Sequence, residues 1–174
     1  AKSELVGIIK EITSQMEEVF VERFKEIDEC FRQTFLELFG GGKAALRLED
    51  ENDVLNCGIE IKVQPPGKAL TNLSLLSGGE MAFVAIALYF AILKVRPTPF
   101  CVMDEIEAAL DEANVTRYAE YMRRICDKTQ FIVITHRRGT MEEADMLYGV
   151  TMQEKGVSTV IELDLEDAQK TITQ

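Results

Sequence analysis

Residues 73–80 read Leu-Ser-Leu-Leu-Ser-Gly-Gly-Glu, "LSLLSGGE", and thirteen apolar residues, Met81 to Leu93, follow without a break. Ser77 with Glu80 three places on is a capping box: each side chain satisfies a backbone N–H that the first turn of a helix leaves unpaired. That accounts for Ser77 and Glu80 but not for Gly78 and Gly79, each of which costs about 1 kcal/mol relative to alanine inside a helix. Glycine suits a backbone that a ligand must approach closely, and a helix N-terminus presents N–H groups to anions. The eight residues alone leave a plain capped helix and a phosphate site both open.

Outward toward the carboxyl end, "TPFCVMDE" reads as a short apolar strand ending in Asp104 and Glu105, and "FIVITH" as a second one ending in Thr135 and His136. Between them Asn114 is expected to cap a helix whose Val115, Tyr118, Met122 and Ile125 share a face. Strand, helix, strand with little alternation predicts a parallel sheet covered on both faces, and in such sheets ligands gather at the carboxyl ends of the strands. An acidic strand end is ordinarily a solvated loop, and a lone histidine is ordinarily structural. Neither ordinary reading predicts this order and spacing together.

Toward the amino end, residues 2–39 carry apolar side chains at positions such as 5, 8, 9, 12, 16, 19, 20, 24, 27, 31, 35 and 38. This is the three-four alternation of a helix with one apolar face, about 55 Å long at 1.5 Å per residue. Gly40-Gly41-Gly42 ends it. "AALRLED" and "CGIEIKV" read as an antiparallel pair around a Glu51-Asn52-Asp53 turn, and "QPPGK" as a loop. "LYGVTMQ" and "VSTVIELD" read as a closing hairpin about Glu154-Lys155-Gly156, with a tail that frays after Glu166.

The formal charge of −11 argues against general polyanion binding by this chain itself. Cysteines at 30, 57, 101 and 126 form no C-x-x-C, and the single histidine leaves no zinc set; Cys101 reads as a buried free thiol. The run from Met81 to Leu93 is shorter than the roughly 20 residues a bilayer needs, and the first residues lack a signal-peptide pattern. A reducing cytoplasm is the expectation.

Taken in order, these residues resemble ATP-binding-cassette ATPases. "LSGGE" matches the signature motif, "FCVMDE" the Walker B strand with its catalytic glutamate, "ALDEAN" the D-loop and "ITH" the switch histidine. The flanks "PPGKALTNLSLLSGGE", "MDEIEAALDEANVTRYAEYMRR" and "THRRGTMEEADMLYGVTMQEKGVS" resemble the carboxyl-terminal half of the head domain of bacterial SMC chromosome-partition proteins, along the whole chain. Met81 stands where that family usually has Lys or Arg.

The resemblance implies an α/β fold: half of an ABC-type head, its sheet mostly parallel with flanking helices. Residues 1–39 would be a coiled-coil neck helix, and 40–174 the carboxyl-terminal lobe. A P-loop, G-x-x-x-x-G-K-[ST], is absent from the sequence: Gly42-Lys43 and Gly67-Lys68 are each followed by alanine. The family supplies that loop from the amino-terminal end of the same polypeptide. ATP and Mg²⁺ are therefore the implied cofactors, held together with that other half. Asp104 would hold Mg²⁺, Glu105 would activate the attacking water, and His136 would meet the γ-phosphate. Leu76, Ser77, Gly78, Gly79 and Glu80 would close over ATP on a second head, with Asp111 linking the two sites. A kleisin subunit is the further implied partner, through its winged helix on the 146–163 hairpin or a helix on the neck at 5–35. DNA is implied for the whole complex, a nucleoid-associated cytoplasmic assembly without a membrane. A double-strand-break repair head of the RecN or zinc-hook type, and a non-catalytic kleisin-docking module, are the alternatives.

Overall fold

The computed structural model describes residues 2–164; the tail expected to fray after Glu166 lies outside the described residues. The chain divides into two compact units, residues 1–99 and 100–174.

In the first unit, helix α1 (Lys2–Phe39) runs unbroken as its periodicity predicts. Only its last turns are buried, at Phe31, Thr34, Phe35 and Leu38. The apolar stripe nearer its start, including Leu5, Ile9, Ile12 and Met16, is exposed. Gly40, Gly41 and Gly42 all have positive φ and turn the chain into β1 (Lys43–Leu48). At Gly42, with φ +85°, a Cβ would lie 2.2 Å from the Gln64 carbonyl oxygen, so no other residue fits without displacing backbone. β1 pairs antiparallel with β2 (Ile59–Gln64) in the register Leu46↔Ile61, as the alternation predicts. A two-residue strand, β3 (Thr71–Asn72), adds to β2; it is too short to show a period in sequence. Asp28 ties helix to sheet: Oδ1 accepts the Leu46 N–H at 2.6 Å, while Oδ2 accepts from Arg32.

After a 3-10 turn at Leu73–Leu75 comes α2 (Gly78–Val95). Its Phe83, Val84, Ala87, Phe90 and Ala91 are fully buried, and phenylalanines from α1 join them in the core. Phe35 stacks on Phe39 at 4.1 Å, and Phe39 lies 4.7 Å from Phe83. By length and composition α2 could cross a bilayer, longer than its uninterrupted apolar run had suggested. Its buried side chains instead make it the core helix of this unit. Pro97 and Pro99 follow its end, where they cannot continue it.

The second unit begins with β4 (Phe100–Asp104). It pairs parallel with β5 (Gln130–Ile134), Asp104 opposite Ile134. α3 (Glu112–Ile125) makes the crossover, with Val115, Tyr118, Ala119, Tyr121 and Met122 buried. Its cap is Asp111 rather than Asn114: the Asp111 carboxylate accepts the Asn114 N–H at 2.8 Å. Both residue types cap well, and position in the turn decides between them. A single-turn helix, α4 (Arg138–Met141), and the antiparallel hairpin β6 (Met146–Glu154) and β7 (Val157–Asp164) complete the unit.

The parallel pair is covered on one face only, which differs from the two-sided cover read from its composition. Cys101 and Met103 are buried, with the Tyr118 hydroxyl 3.2 Å from the Met103 sulfur. Burial raises the Tyr118 hydroxyl well above its usual pKa, and the nearby Glu107 adds to the shift. Phe100, Val102, Ile132 and Ile134 are 60%, 55%, 47% and 52% exposed. Among the described residues, parallel pairing is confined to β4 and β5.

Candidate functional site

Two groups of sequence-selected residues are each built locally, one in each unit. In the first unit, Ser77 caps α2 as predicted. Its hydroxyl donates to Glu80 Oε2 at 2.9 Å and its N–H donates to the same oxygen at 3.2 Å. The box extends to a residue that sequence reading passed over: Lys68 Nζ lies 2.6 Å from Glu80 Oε1. The Lys68 ammonium, then the Ser77 hydroxyl, hold the Glu80 carboxyl below its ordinary range. The signal for Lys68 was present in "GKALTNLSLLSGGE", but only folding brings a residue twelve positions away to the cap.

Gly78 is exposed, and a Cβ placed on it would meet nothing within 4 Å. Packing within the chain therefore does not require glycine there. This removes the structural explanation for Gly78 and leaves an open helix N-terminus of the kind that accepts a phosphate. Leu76, half-buried, precedes the cap and donates its N–H to the Leu73 carbonyl at 3.2 Å.

In the second unit, Asp104, Glu105 and His136 meet at the carboxyl ends of β4 and β5, as the strand readings predict. Asp104 ends β4 with an exposed carboxylate that makes no hydrogen bond among the described residues. Glu105 holds φ +48° and is the one described non-glycine residue in that region. Its N–H donates to the Ile134 carbonyl at 2.9 Å, so the strained residue is clamped to the end of β5. Its Oε1 lies 3.4 Å from His136 Nδ1, and both side chains are more than half exposed. Asp111 stands on the same connecting loop, ahead of α3.

The exposed Asp104 carboxylate suits Mg²⁺, which keeps most of its waters and uses one or two carboxylates with substrate phosphates. No group of three His, Cys, Asp or Glu side chains among the described residues could enclose a metal by itself. Neither Gly-Lys pair forms a phosphate loop entering a helix: Gly42-Lys43 opens strand β1, and Gly67-Lys68 lies in the turn before β3. The second unit thus presents two exposed carboxylates and a histidine at its strand ends, and the first unit presents an open helix N-terminus. A groove along α1, lined by Glu18, Glu22, Glu26, Glu29, Asn52 and Val54 among others, contains none of these residues and is too acidic to receive a phosphate.

Sequence reading missed Glu107, Arg137 and Thr140. Glu107 is buried, yet stands unmarked in a run with four other acids, "DEIEAALDE".

Comparison with known proteins gives the family and the fold. The family model described as "RecF/RecN/SMC N terminal domain" matches residues 7–159. The chromosome partition protein Smc of Bacillus subtilis (strain 168) is 61% identical over 170 residues, which are 98% of this chain and 14% of that protein. The chain thus spans about one-seventh of that relative's length. The Smc head domain of Pyrococcus furiosus, solved with an extended coiled coil and bound to the C-terminal domain of ScpA, superposes with a TM-score of 0.85 at 41% identity. That match covers 99% of this chain and 43% of the other. A structure from a study of ATP-driven dimerization and DNA-stimulated activation of SMC ATPases superposes with a TM-score of 0.79 at 42% identity, over 90% of this chain and 95% of that one. The chain belongs to the RecF/RecN/SMC family and has the α/β fold of an SMC ATPase head.

Proposed function

We propose that this chain is the carboxyl-terminal half of an SMC head, which completes an ATP site with a Walker A half and drives ATP-dependent engagement of two heads. The observation that carries this reading is the pairing of Glu105 with His136 at the strand ends of a chain that has no phosphate loop. The exposed face formed by Phe100, Val102, Ile132 and Ile134 supports it, because a two-stranded parallel pair with one bare apolar face is an incomplete sheet. So do the extents of the solved relatives: this chain covers less than half of a complete head chain but nearly all of another SMC ATPase chain. The matching family model is described as an N terminal domain; the signature, Walker B, D-loop and switch-histidine resemblances, without a phosphate loop, favour the carboxyl-terminal half.

Bound Mg²⁺ and ATP supply a polarised γ-phosphate and its leaving group. Asp104 would hold Mg²⁺ through its exposed carboxylate. Glu105 orients the attacking water and takes its proton, a general-base role that contributes about 10²–10⁴-fold. His136 meets the γ-phosphate from the opposite strand end. Ser77, Gly78 and Gly79 offer the N-terminus of α2 to ATP held by the other head, with Leu76 and Glu80 fixing the cap, and Asp111 couples the two sites. Hydrolysis then releases the heads. In this reading residues 1–39 are the neck helix and 40–174 the lobe.

Family relatives also suggest the partners. ScpA binds the Pyrococcus head through its C-terminal domain. Here the exposed β6–β7 hairpin, or the bare stripe of α1, is the proposed surface for such a kleisin. DNA acts through the whole complex, placing the protein on the cytoplasmic nucleoid.

The test is ATPase activity after mixing this chain with its separately made Walker A half. Each half alone should be inactive and the mixture active. Tight Mg²⁺-ATP binding by this chain alone would reject the division of labour.

A further inference from the structure

Two residues beyond Glu105, the side chain of Glu107 is only 1% exposed. Burying a carboxyl group is unfavourable unless hydrogen bonds replace its water, so its bonds matter. Oε1 accepts from the hydroxyls of Thr135 and Thr140, the latter at 3.1 Å, while Oε2 has no partner among the described residues. The Thr135 hydroxyl in turn accepts the Arg137 N–H at 2.9 Å. His136 therefore stands at the apex of a turn whose two sides are closed by one hydroxyl, and that hydroxyl hangs from Glu107.

A second tie runs parallel to the first. Arg137 Nη2 donates to the Leu110 carbonyl at 3.1 Å and lies 3.1 Å from Glu112 Oε1, on either side of Asp111. α4 is also drawn close to α3: a Cβ on Gly139 would stand 3.3 Å from Val115 Cγ1. The His136 side chain is largely exposed, so these anchors set the direction of the turn that carries it.

We propose that Glu107 is a positioning residue, which through Thr135 fixes the His136 turn against Glu105 and so sets the geometry of hydrolysis. The inference rests on the ATPase reading above. It goes beyond that reading in assigning a role to a buried acid outside the residues proposed to meet the metal, the water and the phosphate. A carboxylate anchoring two hydroxyls through one oxygen holds orientation more tightly than apolar packing would, because hydrogen bonds are directional where packing is not.

The experiment is steady-state ATP hydrolysis by the assembled head, with thermal unfolding recorded for every variant. Glu107→Ala is expected to lower kcat about 10²-fold with KM for ATP unchanged, the loss expected when a reacting group is displaced by about 1 Å. Glu107→Gln keeps an acceptor oxygen for both hydroxyls and is expected to recover most of that loss. Thr135→Val should lose about as much as Glu107→Ala, and the double variant no more than either, because the two act as one unit. Folded Glu107→Ala with the wild-type kcat, or losses that multiply in the double variant, would overturn the proposal. Should Glu107→Ala not fold, Thr135→Ser against Thr135→Val decides: only serine keeps the hydroxyl, and equal activity of the two overturns it. A wild-type head without ATPase activity, or one unaffected by Glu105→Gln, would instead bring down the ATPase reading itself.

Discussion

Glu105 is held in a left-handed conformation that a β-carbon makes unfavourable by about 1–3 kcal/mol. The surroundings supply what keeps it there: its N–H is bonded to Ile134, and tight turns follow from Glu105 to Ala108 and Glu107 to Leu110. The carboxylate is thereby aimed at the strand ends rather than along the loop. Replacing Glu105 with glutamine keeps its size and its place, so nucleotide-driven head engagement should persist while kcat falls about 10²–10⁴-fold, the range for a lost general base. Ser77→Arg should do the reverse, leaving nucleotide binding to one head intact and preventing engagement. Nucleotide binding, dimer size and turnover measured side by side separate the two. At the other cap, the Glu80 carboxyl is held low by Lys68 and Ser77. A depressed carboxyl contributes stability that is fully present above its unfolded value of 4.5 and is lost as pH falls through the lower folded value. Glu80→Gln should flatten that acid limb of the melting curve. An unchanged acid limb would remove Glu80 from the cap's energetics.

Among the elements, α1 shows how one helix serves two environments. Its last turns lock into the core, while residues 2–19, its first half, leave an apolar stripe open to solvent. Most of a helix's stability in a protein comes from packing its apolar face, so the open stripe is a surface suited to a partner helix. The corner between α1 and β1 depends on Gly42. Gly42→Ala adds an atom 2.2 Å from the Gln64 carbonyl and strains φ +85°. It should destabilise the first unit by more than about 1 kcal/mol, read by urea unfolding. Much of this was legible in sequence. The three-four alternation located α1, period two located β1 and β2, and turn residues located the β6–β7 hairpin. Asp111 as cap was not legible, because Asp111 and Asn114 satisfy the same rule three residues apart. β3 was not, because two residues carry no period.

At the scale of the molecule, the exposed apolar face of β4 and β5 is where the proposed Walker A half would pack. Val102 and Ile132 are exposed neighbours across the parallel pair. Placing aspartate at either should leave this chain folded, since the change faces solvent, and should prevent its association with the Walker A half. Size-exclusion chromatography of the mixture reads this; undiminished complex formation would mean the face is not the joint.

By itself the sequence determined most of the local elements, the family resemblance and the Ser77 cap, and it placed Asp104, Glu105 and His136 at strand ends. Those are written in short-range patterns: periodicity, capping spacing and strand ends. Tertiary structure alone decided that one face of the parallel pair is open, that Gly78 is free of packing demands, that Lys68 reaches Glu80, and that Glu107 lies buried beneath the His136 turn. Each of those depends on which distant residues come within a few ångströms of one another, and a chain's local pattern carries no record of such distances.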